Sequence, residues 1–267
     1  MSDTNLNELL GETGLDHEAS TVMQLTADTL GPAIMAGLGD VSLDDITTSE
    51  VLLVTVLLDD SGSIRFAGNA QLVREGHNMM LSALKDAKQS GSVLISCRYL
   101  NEGRSTPGGV LYPYRPLDGA DQLTPQNYDP NGGTPLYDQA AVTLTGVAAK
   151  MAEFEQGGVA ARAVTVFVTD GADMHSRQHH AGTVRPMVEG MLRTEAHIVI
   201  GMGIDDGSTD FRQVFQDMGL RDEWILTPAN THSEIRRAFQ VVSQSAVRAS
   251  QAAGGSFSKV ALGGFGA

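Results

Sequence analysis

Four short apolar runs constrain this chain more than any other feature: VLLVTVLL (51–58), SVLISC (92–97), AVTVFVT (163–169) and HIVIGMG (197–203). Each is continuous, where a half-buried strand would alternate apolar with polar residues. Such runs suit strands buried on both faces, as in a parallel sheet covered by helices on each side. Between them a helical spacing takes over, first at Leu72, Gly76, Met80, Ala83 and Ala87, then at Ala140, Leu144, Val147 and Met151. Strand and helix alternating, with about 10 to 20 residues per crossover, predict an α/β domain with a doubly wound, mostly parallel central sheet and helices on both faces.

A further strand at EWILTP (223–228), and a helix opened by Thr231 and Glu234 as a capping box, would complete that domain. The stretch 98–116 reads as a hairpin, with Pro107, Gly108 and Gly109 in the turn and Pro113 marking an antiparallel edge strand. Residues 1–48 stand apart as an acidic, partly helical extension, in which Leu6, Leu9 and Leu10 form one helical triplet. Ala19, Val22, Met23 and Leu30 form another group beyond Gly11 and Gly14. At the other end 250–267 is rich in Gly and Ser and reads as a flexible tail, leaving 49–249 as the domain proper.

Charge narrows the partners. The formal net charge is −14, and the first 64 residues hold 12 of the 32 acids and none of the 18 bases. A nucleic-acid or anionic-membrane binder needs a basic stripe, whereas the bases here are scattered singly. Neither a basic leader with an apolar core nor a run of about 18 apolar residues is present, so a soluble, cytoplasmic protein is expected. The single cysteine, Cys97, lies inside an apolar run and reads as a buried small hydrophobe.

In open α/β sheets, ligands bind beyond the carboxyl ends of the strands, near the switch in strand order. Three groups fall there: Asp59, Ser61 and Ser63 after the first run, Asp170 of VTDGAD after the third, and Thr134 of NGGTPLYD at a loop-to-helix junction. Two carboxylates and three hydroxyls form a set of hard oxygen donors suited to Mg²⁺, with Ca²⁺ or Mn²⁺ as alternatives. The carboxylates balance the ion's charge and the hydroxyls add none, so the site would accept a carboxylate from outside.

Each candidate also has a plainer role. Thr134 before Pro135 would serve as a helix N-cap, and Asp173 could hold a metal-bound water or only tie its loop. His175 and His179 have zinc spacing but lack a third ligand nearby. DDGSTD (205–210) imitates a calcium loop, yet its twelfth position is Gln216, which favours a turn and a helix cap. No Asp-x-Asp, G-x-S-x-G or Walker motif supplies an enzyme's machinery.

Taken together, D-x-S-x-S after the first strand, a Thr behind GGT and an Asp in TDG resemble the von Willebrand factor A domain and its metal-ion-dependent adhesion site. The resemblance spans about residues 50 to 249, in the family's order. It implies that Asp59, Ser61, Ser63, Thr134 and Asp170 coordinate the metal, some through water, and that an Asp or Glu of a protein partner fills the sixth position. GGTPLYD and VSQSAVRASQ look most like the cytosolic bacterial members, including those of tellurite-resistance operons. The expected function is a non-enzymatic, metal-dependent protein-binding module. The alternatives are a metal-dependent phosphoesterase at the same site, or a structural metal with the acidic extension as the interaction surface.

Overall fold

The computed structural model describes residues 3–39, 41, 43–46, 48–103, 106–251 and 265. Most of the Gly/Ser-rich tail expected at 250–267 lies outside the described residues.

The four apolar runs become β1 (Glu50–Leu58), β2 (Val93–Tyr99), β4 (Ala160–Thr169) and β5 (His197–Gly203). With β3 (Val110–Pro116) and the two-residue β6 (Ile225–Leu226) they form one sheet of order β3-β2-β1-β4-β5-β6. All neighbours are parallel except β2 and β3, so β3 is the antiparallel edge strand that the hairpin and Pro113 led us to expect. The sixth strand is shorter than EWILTP suggested, because Asp222–Trp224 takes up a 3₁₀ turn ahead of it.

Continuous hydrophobicity has a direct structural cause. Along β1, Val51, Leu53 and Leu57 enter one core while Leu52, Val54, Val56 and Leu58 enter the other. Each face is roofed by helices, which is why both sets of alternate residues are apolar save Thr55, whose buried hydroxyl is bonded to Tyr114 OH. The second core is closed by α4 (Ala70–Lys85) and α8 (His232–Gln251), through Val73, Met80, Phe239 and Val242. The first is closed by α5 (Leu136–Gln156), α6 (Ala181–Arg193) and α7 (Phe211–Asp217), through Leu144, Phe154, Val188 and Phe215.

An additional layer lies over that first face. Helices α1 (Asp3–Gly11) and α2 (His17–Leu38) pack on α5 and α6, and Leu6, Leu10, Met23, Ile34 and Leu38 share the same core. Asp16 caps α2 by accepting from Ala19 N–H, and accepts from Arg193 Nε at 2.9 Å. The helix kinks at Leu30, two residues ahead of Pro32, whose ring cannot follow a straight helix. Among the described residues no helix is long and apolar enough to cross a membrane.

Candidate metal centre

β1 and β4 are neighbours in register, Leu58 beside Val168, and the strand order reverses between them, with β2 on one side and β5 on the other. Asp59 therefore leaves the sheet beside Thr169, and Asp170 follows one residue later. The Asp59 N–H donates to Val168 O at 2.9 Å, which holds the first carboxylate at the sheet's end.

A chain of hydrogen bonds links the two acids. Asp59 accepts from Ser61 N–H at 2.7 Å and from Thr169 Oγ1 at 2.6 Å. Ser61 Oγ lies 2.8 Å from Ser63 Oγ, and Ser63 Oγ donates to Asp170 Oδ1 at 2.6 Å. Thr134 approaches from the other side: a Cβ on Gly171 would stand 3.6 Å from Ser63 Oγ and 3.8 Å from Thr134 Oγ1. Five oxygen-bearing side chains thus meet at one end of the sheet. Asp59 and Asp170 are only 1% and 3% exposed, while Ser63 faces solvent and marks the mouth.

Burial of carboxylates without a cation is costly. Among the described residues neither Asp59, Asp60 nor Asp170 forms an ion pair with Lys, Arg or His. Burial accordingly raises the Asp59 pKa, against the hydrogen bonds from Ser61 and Thr169. It pushes Asp170 up to about 6, opposed by the Ser63 bond and reinforced by the charge of Asp59. Asp60 is likewise pushed up to about 6 by burial, with the amide of Asn101 pulling the other way.

This donor set fits a hard divalent cation. The ion would supply the positive charge that the buried carboxylates lack. The buried Asn69 side chain adds a further polar group beside Asp170, whose pKa it helps to lower.

Several supporting residues were not legible from spacing. Asn101, just past β2, joins both loops: its Nδ2 donates to Asp60 Oδ1 at 2.6 Å and Gly133 O at 2.9 Å, and its Oδ1 accepts from Gly133 N–H at 3.1 Å. Tyr128 OH donates to Asp59 O at 2.5 Å. His175 accepts from Thr134 N–H through Nδ1 at 2.8 Å, its ring so close to Gly133 that a Cβ there would be 2.8 Å away.

Around the site, local signals resolve in different ways. Pro135, and not Thr134, occupies the cap position of α5, whose N-terminus is satisfied from a distant loop. Asp173 accepts from Tyr137 N–H, and Ser176 Oγ from Asp138 N–H. Asp138 in turn accepts from the N–H groups of Arg177, Gln178 and His179. Among the described residues no group of three or more His, Cys, Asp or Glu could hold a metal, which leaves no zinc site at His175 and His179. DDGSTD is a turn and cap: Asp206 accepts from Ser208 N–H and Thr209 N–H, and Asp210 caps α7. Cys97 is fully buried, and burial drives its thiol pKa far up.

No family model matches the chain, and no curated protein matches it. Solved structures do. The pilus adhesin SpaC from Lactobacillus rhamnosus GG, in its open conformation, is similar over 74% of this chain and 30% of its own, at 14% identity and a TM-score of 0.54. Proximal thread matrix protein 1 of the mussel byssus, with zinc in its metal-ion-dependent adhesion site, matches over 74% of this chain and 46% of its own, at 14% identity and a TM-score of 0.45. The VWA domain of SpRpn10 matches over 72% of this chain and 95% of its own, at 9% identity and a TM-score of 0.48. This chain spans about a third of the adhesin. The fold is that of a von Willebrand factor A (VWA) domain, a mostly parallel six-stranded sheet between helices with one antiparallel edge.

Proposed function

We propose that the chain is a non-enzymatic interaction module. In this reading Asp59, Ser61, Ser63, Thr134 and Asp170 hold a divalent cation, Mg²⁺ foremost, and the ion grips an Asp or Glu carboxylate of a protein partner inside the cell. Residues 49–249 would be the A domain and residues 1–48 a layer added to it. One observation carries the reading: two carboxylates buried at the switch point, surrounded by hydroxyls and amides, with no cationic side chain paired to them among the described residues.

Each residue has a distinct part. Asp59 and Asp170 supply the charge that selects a cation; Ser61, Ser63 and Thr134 supply neutral oxygens that leave the ion electron-poor enough to attract one more anion. When bound, the ion provides an electrostatic anchor for an external carboxylate. Ser63 is exposed, so the mouth of the site is accessible to a protein loop.

Calorimetric titration of metal-stripped protein with MgCl₂, run beside Asp59→Ala, tests the assignment. One ion per chain should bind the wild type, with binding lost in the variant while its circular dichroism is unchanged. Full affinity in Asp59→Ala would show that the ion sits elsewhere.

A further inference from the structure

Large apolar side chains stand out in solvent at three described positions: Leu25, Phe66 and Met174, at 59%, 90% and 75% exposure. Singly scattered surface hydrophobes need no explanation. Here, however, two of the three stand on two of the three loops that build the candidate metal centre. Phe66 ends α3 (Gly62–Phe66), three residues past Ser63, and its ring lies against Gly62, where a Cβ would be 3.4 Å from Cε2. Met174 follows Asp170 by four residues, and its N–H donates to Thr134 O at 3.1 Å.

Both are held on firm backbone. Ala67 N–H donates to Ser63 O at 2.8 Å and Asn69 N–H to Ile64 O at 2.9 Å, which closes the turn carrying Phe66. On the other loop, His175 N–H also reaches Thr134 O, and Ser176 Oγ donates to Asp173 at 2.5 Å. Two apolar groups are therefore presented to solvent at set positions on two of the loops that carry the candidate ligands, Phe66 beside Gly62 and Met174 beside Thr134.

We propose that Phe66 and Met174 form an apolar rim that selects the partner, a separate protein offering an extended loop in which an Asp or Glu has bulky apolar side chains two residues before and two residues after it. The inference rests on the carboxylate-gripping reading above. In an extended segment, side chains at i−2 and i+2 point the same way as the acid, about 7 Å to either side of it. An acid descending to the ion would bring those two neighbours down on the rim. A second copy of this chain is the poorer occupant, because a net charge of −14 on each molecule opposes self-association.

Two capped pentapeptides, Leu-Ser-Asp-Ser-Leu and Ser-Ser-Asp-Ser-Ser, serve as probes, titrated in the presence of Mg²⁺ against the full chain and against Phe66→Ser/Met174→Ser. The leucine-flanked peptide should bind the wild type roughly ten-fold tighter or better. The double variant should lose that preference while its MgCl₂ titration stays unchanged, a result that altered folding would not give. Equal affinity of both peptides for the wild type, or a preference that survives in the double variant, would overturn the rim and leave the gripping site standing. Binding of neither peptide to Mg²⁺-loaded protein would remove the gripping site and the rim together. A Mg²⁺-dependent dimer in sedimentation, lost in the double variant, would replace the separate partner with a second copy.

Discussion

Two regions of this molecule bury charge, and they treat it in opposite ways. On the face covered by α1 and α2, Lys150 is fully buried, yet its ammonium donates to Val41 O at 2.7 Å and Glu153 Oε2 at 3.0 Å and lies 5.1 Å from the Phe154 ring centre. Arg98, also buried, donates through Nη2 to Ala33 O at 3.0 Å and Gly108 O at 2.8 Å, tying the kinked end of α2 to the hairpin. At the carboxyl end of the sheet, Asp59 and Asp170 find hydroxyls and an amide N–H but, among the described residues, no cation. Lys150 is compensated within the chain by the Glu153 carboxylate, whereas Arg98 meets only carbonyl oxygens and its Nε has no partner among the described residues. Asp59 and Asp170 have no such counter-charge, and an ion from outside would remove that contrast with Lys150.

The largest effect expected from breaking this comparison is on the compensated side. Lys150→Met would leave Val41 O without its donor and Glu153 without its partner, and should cost about 3 kcal/mol in urea unfolding. Asp59→Asn in metal-free protein should instead shift stability by less than about 1 kcal/mol, because it removes an unneutralised buried charge while keeping the acceptor for Ser61 N–H. At a MgCl₂ concentration of about 100 times Kd the wild type should gain roughly 2.7 kcal/mol, and Asp59→Asn nothing. Equal losses for Lys150→Met and Asp59→Asn without metal would erase the distinction.

A smaller effect sharpens it. Asn101 touches no candidate ligand side chain, yet it pins the Asp60 loop to Gly133, one residue before Thr134. Asn101→Ala should weaken Mg²⁺ binding roughly ten-fold by calorimetry, as outer-shell supports of metal sites do, with one-to-one stoichiometry retained. Unaltered affinity would mean that Thr134 is placed by His175 and the α5 junction alone.

The contrast between these residues also explains which parts of the site are legible in the amino-acid sequence. The ends of β1 and β4 are marked there because long apolar runs stop abruptly at Asp59 and Asp170, and parallel pairing then places those ends together. Asn101 and His175 carry no such mark: each acts on a loop 41 residues away, at Asp60 and Thr134, and only folding brings them there. The cap of α5 is misleading for the same reason. Thr134-Pro135 has the local form of a helix start, but Asp173 and Ser176 supply the acceptors from across the site. The docking of α1 and α2 is hidden because their apolar stripes are short and broken by Gly11 and Gly14, and their meaning depends on the surfaces of α5 and α6.

The subtlest difference between the two kinds of buried charge lies in pH. Asp60 and Asp170 have pKa values of about 6 against an ordinary 3.8, so the folded state binds more protons than the unfolded one between those values. Their contribution to stability is complete below 3.8 and is lost as pH rises through 6. Two buried histidines act the other way: His77, bonded to Tyr112 OH at 3.0 Å, is lowered to about 4 and His197 to about 3, from 6.5, both by burial. Their contribution is complete above 6.5 and is lost as pH falls through those lower values. Between 4 and 6 the two sets oppose, which should flatten the pH profile of the metal-free protein. An ion bound to the carboxylates needs them deprotonated and is indifferent to the histidines. The rise in Tm produced by MgCl₂ should therefore be nearly absent at pH 5, grow through 6 and level off above about 7. Thermal scans with and without the ion across that range give the difference directly, and an equal rise at pH 5 and pH 7.5 would mean that groups other than these acids hold the metal.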